Sequence, residues 1–304
     1  MTAAQRHTPT ARVAVLFAAA LESYYAAFKD ELRALGYVEG QNLVLDARWA
    51  DGKLERLPGL AAELVALKPD VVVASSTPAI AALKNTTSGI PIVMATSADS
   101  VRSGFVASLV RPGGNITGNS AMNFDLSLKT IEMIHSVVPN ASRIGLLLTR
   151  NSAYNPLLPE VAQSAKALGL TIVPARADSE EDIERAFATM QKDGVGALVV
   201  FGDSVYVAYR RKIAALAMDA RLPAIYQWRS HAEAGGLMSY GPNVLSLWRV
   251  AARYVDRILK GANPANLPVQ QPTEFELVVN ASTAKALGIK VPQDILLRAD
   301  TVIE

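Results

Sequence analysis

One pattern constrains this chain more than any other: it runs through the same series of elements twice. "RVAVLFAAALESYYAAFKDELRALGYV" (12–38) and "RIGLLLTRNSAYNPLLPEVAQSAKALGLTIV" (143–173) each open with arginine and a short apolar run. Each then passes through a loop into a helical pattern that ends in "ALG". The opening residues Arg12 and Arg143 stand 131 positions apart, and the closing residues Gly36 and Gly169 stand 133 apart. Glycine after the last helical turn suits a left-handed cap, because it has no Cβ to clash there. A second pair follows. "PDVVVASSTPAIAALKNTTSGIPIVMATS" (69–97) and "VGALVVFGDSVYVAYRRKIAALAMDARLPAIYQW" (195–228) both read as buried strand, polar loop, helix, proline and strand.

Continuous β-branched runs alternating with helices predict parallel sheets covered on both faces. The repetition predicts two such units in tandem. Residues 12–17 and 143–148 are the expected first strands, so the N-terminal apolar run reads as a strand rather than a signal peptide. If the protein is exported, its leader has already been removed from this chain. Helices are expected over 126–138 and 244–261, where Leu128, Ile131, Ile134 and Val138, and then Leu247, Val250, Ala251, Tyr254, Val255 and Ile258, fall on single faces. The expected division is 10–118 plus 243–272 for lobe one, and 119–242 plus 273–304 for lobe two.

The stretch "RPGGNITGNS" (111–120) has the outer glycine spacing of a dinucleotide loop, but Asn115 holds the middle position and no phosphate-binding lysine follows. It reads as a joint where the chain first leaves lobe one. Composition narrows the function further. Lys plus Arg (30) nearly balances Asp plus Glu (28), which gives no electrostatic case for nucleic acid. The absence of cysteine excludes disulfides, thiolate metal sites and a thiol nucleophile. The histidines His7, His135 and His231 lack metal-ligand spacing, and no nucleophile elbow occurs. No catalytic residue, cofactor or metal is therefore predicted.

In open parallel sheets, ligands bind beyond the carboxyl ends of the strands. The repeat places those ends at Ala18–Glu22, Ser75–Thr77, Thr96–Asp99, Thr149–Tyr154, Phe201–Asp203 and Tyr226–Arg229, which would line one cleft if the lobes face each other. The candidates among them are Ala20, Glu22, Ser75, Ser76, Thr77, Ser97, Asp99, Asn151, Tyr154, Asp203, Tyr226 and Trp228. Ser76 or Thr77, followed by Pro78, fits a helix cap whose free amides could also hold a carboxylate. Asp99 and Asp203 could take an ammonium group or cap helices. Tyr154, Tyr206, Tyr226, Trp228 and Tyr240 could stack on a flat ligand or belong to the core.

"ALGYVEGQNL", "RPGGNITG", "RLPAIYQWRSHAEAGGLMSYGPN" and "ANLPVQQPTEFELVVNASTAKALGI" resemble bacterial ABC-transporter substrate-binding proteins of the tryptophan- and tyrosine-uptake type, from about residue 12 to the C-terminus. The resemblance implies the type I periplasmic binding-protein fold: two Rossmann-like lobes, crossed three times by the chain, closing around a small solute. It also implies an ABC permease with its ATPase as partner, and a location in the periplasm or tethered outside the membrane. Its ligand loops include "TGNS", which adds Asn119, while "SADSV" departs from the family's usual glycine-aspartate-proline pattern. An aromatic amino acid or aromatic carboxylate is the expected ligand, bound by a monomer without catalysis. Two alternatives stay open: the sensing domain of a regulator, which would need a DNA-binding element before residue 12, and a Rossmann-like enzyme.

Overall fold

The computed structural model describes residues 10–19, 22–121, 123–150 and 154–304. The chain divides into two compact units, one of residues 1–120 and 245–271, the other of residues 121–244 and 272–304. The chain therefore crosses between them three times.

In chain order, unit one begins β1 (Ala11–Phe17), α1 (Glu22–Ala34), β2 (Leu43–Trp49), α2 (Leu57–Ala66), β3 (Val71–Ser75), α3 (Thr77–Thr86), β4 (Ile92–Thr96) and β5 (Ile116–Gly118). Unit two continues with α4 (Asn123–Val137), β6 (Arg143–Leu148), α5 (Leu158–Ala167), β7 (Thr171–Arg176), α6 (Glu180–Lys192) and β8 (Ala197–Val200). Then come α7 (Ser204–Ala208), α8 (Arg210–Asp219), β9 (Ala224–Tyr226), α9 (Arg229–Glu233) and β10 (Met238–Pro242). Helix α10 (Val244–Leu259) returns to unit one, and β11 (Phe275–Asn280), α11 (Ala281–Leu287), α12 (Gln293–Arg298) and β12 (Thr301–Ile303) finish unit two.

Unit one holds a five-stranded parallel sheet in the order β2-β1-β3-β4-β5. Val13 to Phe17 of β1 and all of β3 are buried, as expected of strands covered on both faces. Helix α10 covers one face: its Trp248 stacks on Phe17 at 5.1 Å between ring centroids and meets Phe28 of α1 edge-on at 5.8 Å. Gly36 and Gly169 both take left-handed φ, 95° and 75°, as the two "ALG" endings predict.

Unit two holds a seven-stranded sheet in the order β12-β11-β10-β9-β8-β6-β7. It is parallel-dominated, as expected, with one exception: β10 and β11 pair antiparallel. The register shows why. Pro242, where β10 ends, pairs with Phe275, where the chain re-enters this unit, so β11 starts where β10 stopped and must run back along it.

"RPGGNITGNS" also differs from a simple loop. Ile116–Gly118 is β5, the last strand of the first sheet, in register with Ile92–Met94. Gly118 has φ +124° and lies so close to the Met94 backbone that a Cβ would collide with it. The 270 region is bonded alongside: Gln270 N–H donates to Gly118 O (2.9 Å) and Ser120 N–H to Gln270 O (2.9 Å). Three residues are too few for a strand to announce itself by alternation. No described helix is long and apolar enough to cross a membrane.

Candidate functional site

In unit one the carboxyl ends of β3 and β4 are built around Ser76. Its N–H donates to both the backbone oxygen (2.9 Å) and the hydroxyl (3.1 Å) of Thr96, which ties the two strand ends together. The backbone there has φ +81° and ψ +154°, a region that residues other than glycine occupy only at a cost. Ser76 sits at the N-cap position of α3 yet makes no side-chain cap hydrogen bond, so the expected capping is corrected. Thr77 Oγ1 is turned instead to accept from Ala98 N–H at 3.3 Å. The hydroxyls of Ser75, Ser76 and Ser97 are buried without partners among the described residues. An uncapped helix start beside three unspent hydroxyls is an array of hydrogen-bond donors, suited to a carboxylate.

The other unit-one candidates divide. Asn119 is 2% exposed, and its amide donates to Ala95 O (3.1 Å) and Leu247 O (3.0 Å), which commits it to holding three backbone segments together. Asp99 accepts from Arg102 N–H at 2.9 Å and pairs with the Arg102 guanidinium at 3.7 Å, so it closes its own turn. Glu22 is exposed in the first turn of α1. Ala20 lies outside the described residues, as does Asn151 of the second unit.

In unit two the corresponding strand ends carry different chemistry. Asp203 caps α7, its Oδ1 accepting from Val205 N–H (2.9 Å) while Oδ2 accepts from the Thr149 hydroxyl (2.9 Å). Burial pushes its carboxyl up from the ordinary value, these hydrogen bonds pull it back, and Asp178 adds to the rise. Tyr154 lies flat on Phe201, with centroids 4.2 Å apart and planes 2° from parallel. The Tyr154 hydroxyl donates to Gln227 Oε1 at 2.7 Å, and burial raises its pKa. Trp228, half-buried, lies against Gly202, where a Cβ would come within 3.0 Å of the indole.

Two predicted aromatics belong to the interior of this unit. Tyr206 is fully buried and donates to Ala177 O at 2.9 Å. Tyr226 is fully buried and stacks on His231 at 5.0 Å. His231 Nε2 bonds Tyr206 O at 3.0 Å, and burial pushes its pKa down to about 4. Tyr240 packs against Phe275, with centroids 6.1 Å apart. Among the described residues no three His, Asp or Glu side chains gather as metal ligands.

Residues 12–303 match the family model described as ABC transporter substrate binding protein. The chain belongs to that family. It is accordingly a binding protein rather than an enzyme, with the two parallel-dominated α/β lobes of the type I periplasmic binding-protein fold. The solved ABC domain from Streptococcus pneumonia in complex with L-Trp is 28% identical, covers 97% of this chain and 100% of its own, and superposes with a TM-score of 0.90. A conserved domain protein from Vibrio cholerae is 29% identical, covers 96% and 99%, and has a TM-score of 0.89. The Tyrosine-binding protein of Clostridioides difficile (strain R20291) is 26% identical over 265 residues, which is 86% of this chain and 76% of the relative.

Thr149 and Gln227, which hold Asp203 and Tyr154 by hydrogen bonds, were not singled out in the sequence. Thr149 lay within a predicted loop but resembles any threonine at a strand end. Gln227 likewise lay within the predicted Tyr226–Arg229 loop, between two aromatic residues that drew the attention, and its hydrogen bonds are what distinguish it.

Proposed function

We propose that this protein captures an aromatic amino acid or aromatic carboxylate outside the cytoplasm and delivers it to an ABC permease driven by its ATPase. The observation that carries this reading is the Ser76 site. A strained residue, an uncapped helix start and three buried, unpartnered hydroxyls form a donor array that a carboxylate would complete. The relatives that hold L-Trp or are described as tyrosine-binding support an aromatic amino acid as first choice. Asp203 would take the ammonium group, since its half-buried carboxyl group is held by neutral donors. Tyr154 and Trp228 would flank the ring.

In this reading the protein works as a monomer in the periplasm, or tethered by lipid outside the membrane. The ligand touches both lobes and favours their closed arrangement by its differential affinity for it. The lobes are those of the sequence reading, with Ser76 in the first and Asp203 in the second.

A thermal-shift panel of the twenty amino acids, aromatic acids, branched acids, sugars and nucleotides tests the ligand class. A ligand at about a hundred times its dissociation constant stabilises by roughly 2.7 kcal/mol. A shift confined to aromatic amino acids or aromatic carboxylates is expected; a shift produced only by sugars or nucleotides would overturn the reading. Closure is tested by solution scattering, where a saturating ligand should reduce the radius of gyration.

A further inference from the structure

Gln227 stands at the carboxyl end of β9 and is 3% exposed. Its Oε1 accepts twice, from the Tyr154 hydroxyl at 2.7 Å and from Gly202 N–H at 2.6 Å. Those bonds fix which end of the amide is which. A backbone N–H can only donate, so turning the amide over would set the Nε2 hydrogens against the Gly202 hydrogen. Both lone pairs of Oε1 are thereby occupied and the amide plane is held from two sides.

The backbone is shaped to the same end. A Cβ at Gly202 would come within 2.7 Å of Gln227 Oε1, and a Cβ at Gly241 would overlap the Gln227 carbonyl oxygen. Two elements therefore converge on the side chain, the Tyr154 loop and the turn after β8, while β10 packs against its backbone. Yet Nε2, which has two hydrogens to give, is buried and has no partner among the described residues. Buried donors are almost always satisfied, and one left unmade is costly. A side chain positioned this firmly with its donor unspent is arranged for a partner that arrives from outside the chain.

We propose that Gln227 is a specificity-determining residue of the unit-two site, its Nε2 donating to an acceptor oxygen of the bound ligand. This rests on the reading of the strand-end loops as the ligand site, and it adds a requirement: the ligand must present an oxygen acceptor here, either of its carboxylate or of a ring hydroxyl. Asp203, one residue beyond Gly202, offers the opposite polarity, so the unit-two strand ends supply one acceptor, after β8, and one donor, after β9.

The test is calorimetry on unaltered protein and Gln227→Glu with the amino acids and aromatic acids of the thermal-shift panel. Glutamate keeps Oε1 for Tyr154 and Gly202, removes the Nε2 donor and puts an acidic oxygen in its place. At least tenfold weaker binding by the variant is expected. Equal loss for L-tyrosine and L-phenylalanine assigns the acceptor to the carboxylate; loss for L-tyrosine alone assigns it to the phenol. Affinity within twofold of the unaltered protein overturns the proposal while leaving the aromatic ligand standing. A non-aromatic amino acid or acid that binds and is lost in the variant does the reverse, and no binding by any compound removes both. Should the variant fail to fold, the Gln227 side-chain amide resonances of the unaltered protein answer instead. They should shift and gain exchange protection at saturation, and unchanged signals would overturn the proposal.

Discussion

The strand ends of the two units make an instructive pair, because the repeat that built them has kept the skeleton and changed the chemistry. In unit one, β3 leads into α3 through Ser76, which is neutral, strained and uncapped. In unit two, β8 leads into α7 through Asp203, which is acidic, unstrained and a working cap. The first offers donors and the second an acceptor. A helix start can either be satisfied by its own chain or be left for a ligand, and these two strand ends take one course each.

The comparison can be broken by substitutions, starting with the largest effect. Gly241→Ala places a methyl group against the Gln227 carbonyl and should destabilise unit two by about 3 kcal/mol, as backbone overpacking does. Denaturant unfolding measures it, and an unchanged midpoint would show that β10 yields freely.

The pH response of unit two should be of similar size. His231 has a pKa lowered from 6.5 to about 4 by burial. The unfolded chain therefore binds a proton that the folded chain refuses, and the stability contributed by neutral His231 is full above pH 6.5. It is lost as pH falls toward 4, a change on the order of 3 kcal/mol. Melting temperatures across this range should fall with acid, and His231→Phe should flatten that slope.

Asp203→Asn comes next. It should weaken an aromatic amino acid at least tenfold, about 1.4 kcal/mol, and leave the corresponding des-amino acid nearly unaffected in calorimetry. Equal affinity for both ligands before and after would leave Asp203 only as a cap. Because burial raises the Asp203 pKa, the free protein loses stability as pH climbs from the ordinary carboxylate value through the raised one. An ammonium ligand should offset that loss.

The smallest effect is the most discriminating. Ser76→Gly relieves the left-handed strain and should raise the melting point by an amount equivalent to roughly 1 kcal/mol, while ligand affinity drops. Ser179 is a working cap, accepting from Asp182 N–H, and Ser179→Ala should cost about 1 kcal/mol. Stabilisation at one serine and loss at the other would separate a ligand site from a cap.

Much of the fold was legible because parallel sheets write long apolar runs, and because Gly36 and Gly169 mark helix ends by a steric rule that needs no tertiary information. The strands Ile116–Gly118 and Thr301–Ile303 were hidden, each being three residues long and defined by its neighbour rather than by its own pattern. The antiparallel return at Phe275 depends on where the chain re-enters, which no local window records. Within the site, the sequence shows residue types but not their commitments. Asn119 looked available, and its amide is spent on two carbonyls; Gln227 looked ordinary, and its amide is held by two partners. The backbone turn at Ser76 is dictated by Thr96, twenty residues away, so a reading of "SSTP" alone supplies a cap that does not form.

The stacking of Trp248 on Phe17 sets a timetable. When the first sheet's strands have all left the ribosome, at Gly118, the indole that seals one face of β1 is still 130 residues from being made. Unit one must spend that interval with aromatic surface exposed and its last helix missing, while unit two is synthesised in between. Contacts so distant in sequence are slow to form and leave partly folded chains open to aggregation. A nascent chain of this architecture therefore has reason to be shielded by chaperones until residue 248 emerges, and chains stalled before that point should be the ones degraded first.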